Sequence, residues 1–327
     1  MRAAENRDGL LLLDKVPGIT SFDSLRQVKK ALNTKKVGHT GTLDKFASGL
    51  LVILTGRALR LSPWFSRCNK EYEALIRFGE ETDTLDPEGS VIAEAPLPSR
   101  KAVEEALPAF LGEILQVPPM YSAIHIGGKR ASQLARAGEV PHMKERKVNI
   151  YSIRLLSWEP PLGSFSVSCS GGTYIRSLAR DLALAAGSRG RLEALRRTRV
   201  SGFRVEEALR EAAPEALMGI KPEIFSLLKM PVIKVKLHDV QNIIHGKPLG
   251  PLLDHAGLYF SADSGMEKTP EDDFCAGLFS EDNSFLALVE KKSGVWSYGF
   301  VFAQATETRS GPSGFLRSRP GGTHADY

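Results

Sequence analysis

The stretch GHTGTLDKFASGLL, residues 38–51, holds one ionisable carboxylate, Asp44, among glycines and small hydroxyl residues. Such a carboxylate can act as a nucleophile, or it can accept hydrogen bonds from nearby backbone N–H groups as a turn residue. The spacing alone favours the turn interpretation. His39 is open to a similar structural interpretation, because no residue near it has the spacing of a metal ligand. The chemistry of this stretch therefore depends on the rest of the chain.

Short apolar segments predict the strands that must hold Asp44 in place. The run LLVILT, residues 50–55, follows Gly49 directly and is typical of a buried strand, so we expect Asp44 on the loop before it. LLLLDK (10–15) predicts a second buried strand, and EYEALIRFG (71–79) alternates with the period of a half-buried one.

Two other segments have the period of an amphipathic helix. The first is FDSLRQVKKAL, residues 22–32, for which Thr20 or Ser21 can serve as the N-cap. Its predicted apolar face consists of Phe22, Leu25, Val28 and Leu32. The second is TYIRSLARDLALAAG, residues 173–187, where Gly187 can end the helix. Strands and helices together predict an α+β protein with a mixed sheet.

Length and composition indicate a globular protein with more than one unit. The chain has 327 residues, of which 42% are hydrophobic, enough for a sizeable core. Its first residues lack the layout of a signal peptide and its longest apolar runs are too short to cross a bilayer, so we expect a cytoplasmic location and no membrane partner. The three cysteines, Cys68, Cys169 and Cys275, form no CxxC pair, which predicts reduced thiols.

Positive charge is concentrated in the N-terminal two thirds of the chain. The net charge of the whole sequence is +5, whereas residues 230–302 carry six Lys or Arg and ten Asp or Glu, a net of −4. Residues 303–327 carry +1, which leaves +8 on residues 1–229. An anionic ligand is therefore expected on residues 1–229.

Composition also predicts where the units begin and end. Prolines spaced among short apolar pieces at 209–231 predict the connection between a first domain, residues 1–229, and a second, residues 230–302. The acidic stretch 261–273 has the composition of a mobile loop. Residues 303–327 are rich in Gly, Ser, Pro and Arg and poor in apolar residues, which predicts a disordered tail.

The opening stretch resembles the active-site segment of the TruB family of tRNA pseudouridine synthases, whose pattern is GHTGTLDPxAxGLL. Other segments similar to the family occur in the same order: LLLLDKVPGITS (10–21), KEYEAL (70–75), FGEETDTLDPEG (78–89), PPMYSAIHIGGKR (118–130), GGTYIRSLARDL (171–182) and LEALRRTRVSGF (192–203). Several ordered matches are far more specific than one motif. Lys45 departs from the pattern, because the family has proline there.

The resemblance implies conversion of the T-loop uridine of tRNA, uridine-55, to pseudouridine. It implies that Asp44 is the nucleophile, that Arg176 pairs with Asp44 and keeps it ionised, and that Tyr72 is the active-site tyrosine. The reaction requires no redox or group carrier, so no cofactor and no metal are expected. The implied fold is that of a pseudouridine synthase, with a central mixed, mainly antiparallel sheet, flanking helices and a thumb-like insertion.

The resemblance also implies which residues contact the RNA. An apolar residue under the uracil corresponds to Leu195, and His39 and Tyr174 are expected to contact flipped-out nucleotides. The Gly-bearing segment 121–147, with Lys129 and Arg130, is similar to the thumb that clamps the T-arm stem-loop of tRNA.

Phosphate contacts are expected from two further places. Arg197 belongs to a second basic cluster, which is suited to phosphates, and Lys45 is a candidate for the same role beside Asp44. Residues 230–302 look like a small PUA-like β-domain, and no obligatory protein partner is evident.

Two other function classes are alternatives to this interpretation. A haloacid-dehalogenase type of phosphotransferase would need a second aspartate two residues after Asp14, where Val16 stands instead. An RNA-folding chaperone with incidental catalysis would use the same residues for binding, so the sequence leaves that alternative open.

Overall fold

The computed structural model describes residues 7–253, 258–259 and 274–303. The predicted loop at 261–273 and all but the first residue of the predicted tail at 303–327 lie outside the described residues.

The described residues form 18 strands, which range from two to 14 residues in length. They are β1 (Gly9–Lys15), β2 (Val37–His39), β3 (Ser48–Thr55), β4 (Lys70–Phe78), β5 (Glu80–Thr82), β6 (Val91–Glu94), β7 (Gly112–Gln116), β8 (His125–Ile126), β9 (Lys129–Arg130), β10 (Arg146–Glu159), β11 (Leu162–Cys169), β12 (Gly190–Val200), β13 (Phe203–Arg204), β14 (Val232–Val235), β15 (Leu258–Tyr259), β16 (Phe274–Ser280), β17 (Phe285–Lys292) and β18 (Val295–Val301). The helices are α1 (Ser21–Ala31), α2 (Ser62–Arg67), α3 (Arg100–Ala106), α4 (Ala131–Arg136), α5 (Ile175–Ala185), α6 (Pro222–Leu227), α7 (Val240–Ile244) and α8 (Gly250–Leu253).

Nine strands form the larger sheet, in the order β1-β3-β12-β4-β11-β10-β7, with β2 beside β3 and β13 beside β12. The β12–β3 pair is parallel and the other pairs are antiparallel. The predicted mixed, mainly antiparallel sheet is therefore confirmed. The three predicted strands correspond to β1, β3 and β4, with ends that differ by at most two residues.

The position of each strand explains its sequence pattern. β1 and β3 carry continuous apolar runs because both of their faces are covered: Leu10 and Leu50 enter one hydrophobic cluster, whereas Leu11 and Leu51 enter another that packs against α1. β4 alternates because only one of its faces is covered, by α5.

Helix α1 forms as predicted, with Thr20 as its N-cap, where the Asp23 N–H donates to Thr20 Oγ1 at 3.0 Å. The prediction that Phe22 lies on its buried face is wrong, because Phe22 is 61% exposed. Successive residues of a helix turn by about 100°, which places Phe22 roughly 120° from Val28 at the centre of the buried face. Ser21 and Ser24 are buried instead.

The smaller sheet has five strands in the order β15-β14-β16-β17-β18. β14 pairs in parallel with β16, and the other pairs are antiparallel. Apolar residues of this sheet pack against α7 and α8 and form a cluster of their own. No helix within the described ranges combines the length and the apolar character needed to cross a membrane.

The segment 209–231, predicted to connect two units, is part of the core that they share. Leu209 and Met218 form backbone bridges to β1. Phe225, in α6, is fully buried against Phe279 and Phe285 of the smaller sheet, with ring centroids 5.2 and 5.1 Å away. One apolar cluster thus runs from β1 and β3 through α6 to β16 and β17.

We predict that Phe225→Ala lowers the free energy of unfolding by about 3–5 kcal/mol, because it leaves a cavity in this shared cluster. Phe22→Ala is the matched control, since the same side chain is exposed there and its removal should cost less than about 1 kcal/mol. Urea unfolding followed by tryptophan fluorescence measures both. Equal losses for the two variants would contradict a core shared through α6.

Candidate active site

The loop that carries Asp44, residues 40–47, is held by hydrogen bonds to its main chain. Ser21 Oγ donates to Leu43 O and accepts from Leu43 N–H, both at 2.8 Å. The carbonyl of Lys45 accepts from Gly18 N–H at 2.8 Å and from Lys15 Nζ at 3.3 Å. The loop therefore does not need a proline at position 45 to be ordered, because these hydrogen bonds from neighbouring elements already restrain its main chain. Asp44 lies on the loop, as the sequence predicted.

Arg197 of β12 braces the same loop from the sheet. Its Nε–H donates to Leu50 O at 2.7 Å and its Nη2–H donates to Gly41 O at 3.1 Å. Gly49 makes this close approach possible, because its φ is +103° and a Cβ there would collide with the backbone N and O of Arg197. Any other residue at Gly49 would displace β12 or the loop.

The carboxylate of Asp44 pairs with the guanidinium of Arg176, as the family resemblance implied. Arg176 Nη2–H donates to Asp44 Oδ1 at 3.2 Å, and Arg176 Nε lies 3.0 Å from Asp44 Oδ2 without the alignment of a hydrogen bond. The side chain of Arg176 is 5% exposed and that of Asp44 is 36% exposed. Arg176 therefore contacts the Asp44 carboxylate from the protein interior, and the carboxylate remains accessible from the cavity.

Arg176 also pairs with a second carboxylate, Asp86. Its Nη1–H donates to Asp86 Oδ2 at 3.1 Å and to Thr84 O at 2.8 Å. Asp86 is itself buried and accepts from the Thr84 hydroxyl at 2.6 Å and the Glu88 N–H at 3.0 Å. One guanidinium thus serves two carboxylates, and the three charges sum to −1.

Helix α5 places Arg176 at this point because its first turn is fixed. The buried amide of Gln116 accepts from Tyr174 N–H at 2.8 Å and donates to Tyr174 O at 3.1 Å. The Ser177 hydroxyl donates to Val117 O at 2.8 Å. These contacts bind the start of α5 to the end of β7, so Arg176 enters the site from a rigid support.

A cavity of about 410 Å³ opens beside Asp44. Tyr72 of β4 and Leu195 of β12 line it as neighbours on adjacent strands. Tyr174 and Arg176 line it from α5, and Arg130 and Arg136 line it from the segment 121–147. The cavity has room for a flat organic group, and its lining combines aromatic and apolar side chains with many polar and charged ones.

Burial raises the pKa of Asp44 above that of an ordinary aspartate. The Arg176 guanidinium opposes this shift, whereas the negative charge of Asp86 adds to it. Burial also raises the pKa of Tyr72 to about 12, so its phenol is protonated near neutral pH.

Two buried lysines lie against the same loop and cavity. Lys15 Nζ donates to Ile19 O at 2.7 Å and Val16 O at 3.0 Å, and Lys70 Nζ donates to Cys68 O at 2.6 Å and Ser66 O at 2.9 Å. Burial lowers the pKa of each lysine to about 8. Both side chains are therefore anchored by main-chain carbonyls. Lys70 lines the cavity.

Three of the predicted contact residues lie away from the cavity lining. His39 is in β2, where burial lowers its pKa. Lys45 forms an ion pair with Glu88, with Nζ 3.3 Å from Oε1, rather than pointing freely into solvent. Lys129 is exposed in β9, whereas the adjacent Arg130 lines the cavity.

The basic cluster around Arg197 is largely engaged within the protein. Four of its arginines pair with carboxylates: Arg189 with Glu81, Arg191 with Glu80 and Glu193, Arg196 with Asp14, and Arg199 with Glu71. Arg197 is 2% exposed and lines the cavity. Its position and bonds differ from those expected of a surface phosphate contact.

Sequence reasoning missed three residues that organise this site. Asp86 stood inside the matched segment FGEETDTLDPEG, so its carboxylate next to a glycine-containing turn was the available signal. Lys70 likewise stood in the matched segment KEYEAL, whereas Gln116 gave no local signal, because its role arises from contacts with Tyr174, which is distant in sequence. Among the described residues, no group of three or more His, Cys, Asp or Glu is placed to hold a metal ion.

A family model described as "TruB family pseudouridylate synthase (N terminal domain)" matches residues 29–175. A tRNA pseudouridine synthase B of Treponema denticola is 49% identical over 223 residues, which cover 62% of this chain and 62% of the relative. One from Borreliella burgdorferi is 43% identical over 242 residues, covering 73% of this chain and 86% of the relative. One from Pseudomonas aeruginosa is 40% identical over 259 residues, covering 76% and 85%.

Solved structures share the fold. A crystal structure of a Cbf5–Nop10–Gar1 complex has a chain that matches with a TM-score of 0.67 and 24% identity, covering 93% of this chain and 88% of that chain. A crystal structure of an archaeal box H/ACA sRNP Nop10–Cbf5 complex matches with a TM-score of 0.65 and 23% identity, covering 91% and 87%.

We predict that Asp86→Asn lowers the pKa of Asp44, because it removes a negative charge while the asparagine oxygen can still accept from Arg176. An NMR titration of carboxyl-labelled aspartate measures this pKa. Asp181→Asn, on α5 but paired with Arg180, is the control and should leave it unchanged. An upward shift in Asp86→Asn would show that Asp86 acts by holding Arg176 rather than through its charge.

Proposed function

Because the chain belongs to the TruB family of pseudouridylate synthases, we propose that it isomerises a uridine of tRNA to pseudouridine. The observation that carries the proposal is the Asp44 carboxylate, held by a buried guanidinium and open to a cavity of about 410 Å³, which is large enough to admit a nucleobase. The relatives from Treponema, Borreliella and Pseudomonas are named tRNA pseudouridine synthase B, which supports tRNA as the substrate. The finer assignment, the T-loop uridine, rests on the ordered motif matches of the sequence.

The reaction requires three events at one nucleotide. The N1–C1′ bond breaks, the uracil turns, and its C5 bonds to C1′. An ionised Asp44 can bond to C1′ or to the ring, or it can take the C2′ proton along a glycal route, and each of these needs a charged carboxylate beside the sugar. Arg176 keeps that carboxylate oriented, and the product is an isomer, so no redox group or group carrier takes part.

The base is held between Tyr72 and Leu195 in this proposal. Uridine must leave the RNA stack to reach Asp44, and an aromatic ring with an aliphatic side chain beside it on the next strand compensates for lost stacking. The Tyr72 hydroxyl, protonated near neutral pH, can relay a proton to or from the ring. Tyr174 and His39 are assigned to neighbouring nucleotides.

The RNA stem is assigned to the segment 121–147, the thumb-like insertion of the proposal. Arg130 and Arg136 line the cavity from this segment, and Lys129 is exposed beside them. Phosphates attract such side chains without reading sequence, so they position the T-arm. We assign residues 1–229 to catalysis and residues 230–302 to a PUA-like unit whose net charge of −4 permits only local RNA contacts.

Asp44→Asn should abolish pseudouridine formation while tRNA affinity changes little, because the change keeps the shape of the side chain and removes its charge. Single-turnover tritium release from C5-labelled tRNA measures the first, and filter binding measures the second. Asp181→Asn is the matched control and should retain activity. Turnover by purified Asp44→Asn would contradict the assignment of Asp44 as the nucleophile. Loss of tRNA binding would instead indicate that Asp44 acts in folding or in docking of the RNA.

Tyr72→Phe should lower the single-turnover rate by about 10²-fold or more, because the ring remains for stacking and only the proton relay is lost. Affinity for T-arm RNA should stay within about twofold. The same tritium-release assay, run alongside a thermal melt, measures both effects. A rate equal to wild type would remove the hydroxyl from the mechanism and leave Tyr72 as a surface for the base.

A further inference from the structure

Four arginines line the cavity, and the two buried ones, Arg176 and Arg197, have surroundings of opposite charge. Arg176 serves two carboxylates, Asp44 and Asp86. Arg197 is more deeply buried, yet no carboxylate of the described residues lies within ion-pair distance of it. Its guanidinium donates hydrogen bonds to two neutral carbonyls, those of Gly41 and Leu50. Its positive charge is therefore not neutralised within the described part of the chain.

The neighbours of Arg197 make this charge more unusual. Lys70 lines the same cavity, and the charge of Arg197 adds to the burial that lowers the pKa of Lys70 and of His39. A buried cation without a counter-ion destabilises the fold unless other groups compensate for it. An apolar side chain could fill the volume that Arg197 occupies. The carbonyls of Leu50 and Gly41 can accept hydrogen bonds from neutral donors, so they do not by themselves explain why a charged group is buried here.

The cavity is therefore polarised along its wall. At the Asp44 end, two carboxylates and one guanidinium sum to −1. On the sheet side of the cavity, its floor, Arg197 of β12 is the register partner of Tyr72 of β4 and carries a +1 charge that no carboxylate of the described residues neutralises. A bond that breaks into a cation and an anion between these two places would be stabilised at both ends.

Cleavage of N1–C1′ is such a step, if the proposed function holds. The electron pair of the bond stays with the base, which becomes a uracil anion, and the deficit at C1′ is met by Asp44 or by loss of the C2′ proton. C5 of the base then bonds to C1′ as the Asp44–C1′ bond breaks or, on the glycal route, as C2′ regains its proton; the C5 proton leaves, and N1 gains a proton. The balance needs no oxidant or co-reactant.

We infer that Arg197 is a catalytic residue whose unneutralised guanidinium, at the floor of the cavity, stabilises the negative charge on uracil as N1–C1′ breaks. The charge exists only in the transition state and in the intermediate, so the interaction accelerates cleavage rather than strengthening binding of the RNA. Arg176 cannot supply this stabilisation, because its charge is already shared between Asp44 and Asp86.

The alternative is that Arg197 is only a brace for the loop between Gly41 and Leu50. Both roles predict a slow Arg197→Gln variant, so the loss of rate alone does not separate them. They differ in how the loss depends on the base. Fluorine at C5 withdraws electrons and makes the uracil anion intrinsically more stable, so a base that carries it needs less help from Arg197. A misplaced loop would slow both bases equally.

The experiment compares T-arm RNA carrying uridine with the same RNA carrying 5-fluorouridine at the target position. Single-turnover consumption of the target nucleotide is measured for wild type, Arg197→Gln and Arg197→Lys. Arg197→Gln should lose about 10²-fold with uridine and at least tenfold less with 5-fluorouridine, whereas Arg197→Lys, which keeps the charge, should lie between it and wild type. Affinity for both RNAs should be unchanged.

Arg199→Gln is the matched control, because it removes another guanidinium of β12 that is paired with Glu71 outside this cavity. It should keep the wild-type ratio of the 5-fluorouridine rate to the uridine rate. If Arg197→Gln does not fold by thermal melt, the ratio in Arg197→Lys decides. A wild-type ratio in a folded Arg197 variant overturns the inference. Failure of the wild-type protein to convert uridine would instead overturn the proposed function, and the two failures are distinct.

Discussion

The site depends on one buried guanidinium with two carboxylates. Arg176 is nearly inaccessible to solvent, and a charge in that position is stable only when it is paired with an opposite charge. Asp86 satisfies that requirement from inside the protein, which leaves the Asp44 pair free to remain at the cavity surface. Because Arg176 needs both partners, the start of α5, the Asp86 turn and the Asp44 loop must occupy fixed relative positions. Much of the larger sheet can be understood as the support for this arrangement.

The second constraint is the shared apolar core. β1 and β3 are buried on both faces, one against α1 and the other against a cluster that reaches the smaller sheet. The strand that follows the Asp44 loop is therefore fixed from both sides. Arg57 adds a polar connection, because its Nη1–H donates to Phe302 O at 2.7 Å and its guanidinium lies over the Phe302 ring. Hence the smaller sheet contributes to the rigidity of the strand that carries the loop.

Local pattern predicted much of this fold and the centre of its site. Continuous apolar runs identified β1 and β3, and alternation identified β4. Thr20 correctly marked the start of α1, and Gly187 correctly marked the end of α5. The Asp44–Arg176 pair followed from family motifs, because their separation of more than a hundred residues carries no periodic signal. Phe22 was misplaced because apolar character was given more weight than helical angle.

The remaining features depended on contacts that a linear pattern does not encode. Arg197 looked like the other arginines of its cluster. Its burial without a carboxylate partner among the described residues emerges only from the parallel β12–β3 pairing. The packing of 209–231 was missed because prolines and short apolar pieces are also typical of connections between units. In both cases residues far apart in sequence determine the environment.

The contact between Gly49 and β12 has a consequence for how this active site could change over time. Position 45 accepts lysine because main-chain bonds fix the loop there. At position 49 the backbone of Arg197 occupies the space that a Cβ would need, so a new side chain would shift the floor and the loop at once. A substitution at position 49 would therefore be tolerated only together with compensating changes in β12. A directed-evolution library that varies only the loop would thus yield folded variants mainly at the residues between positions 45 and 49.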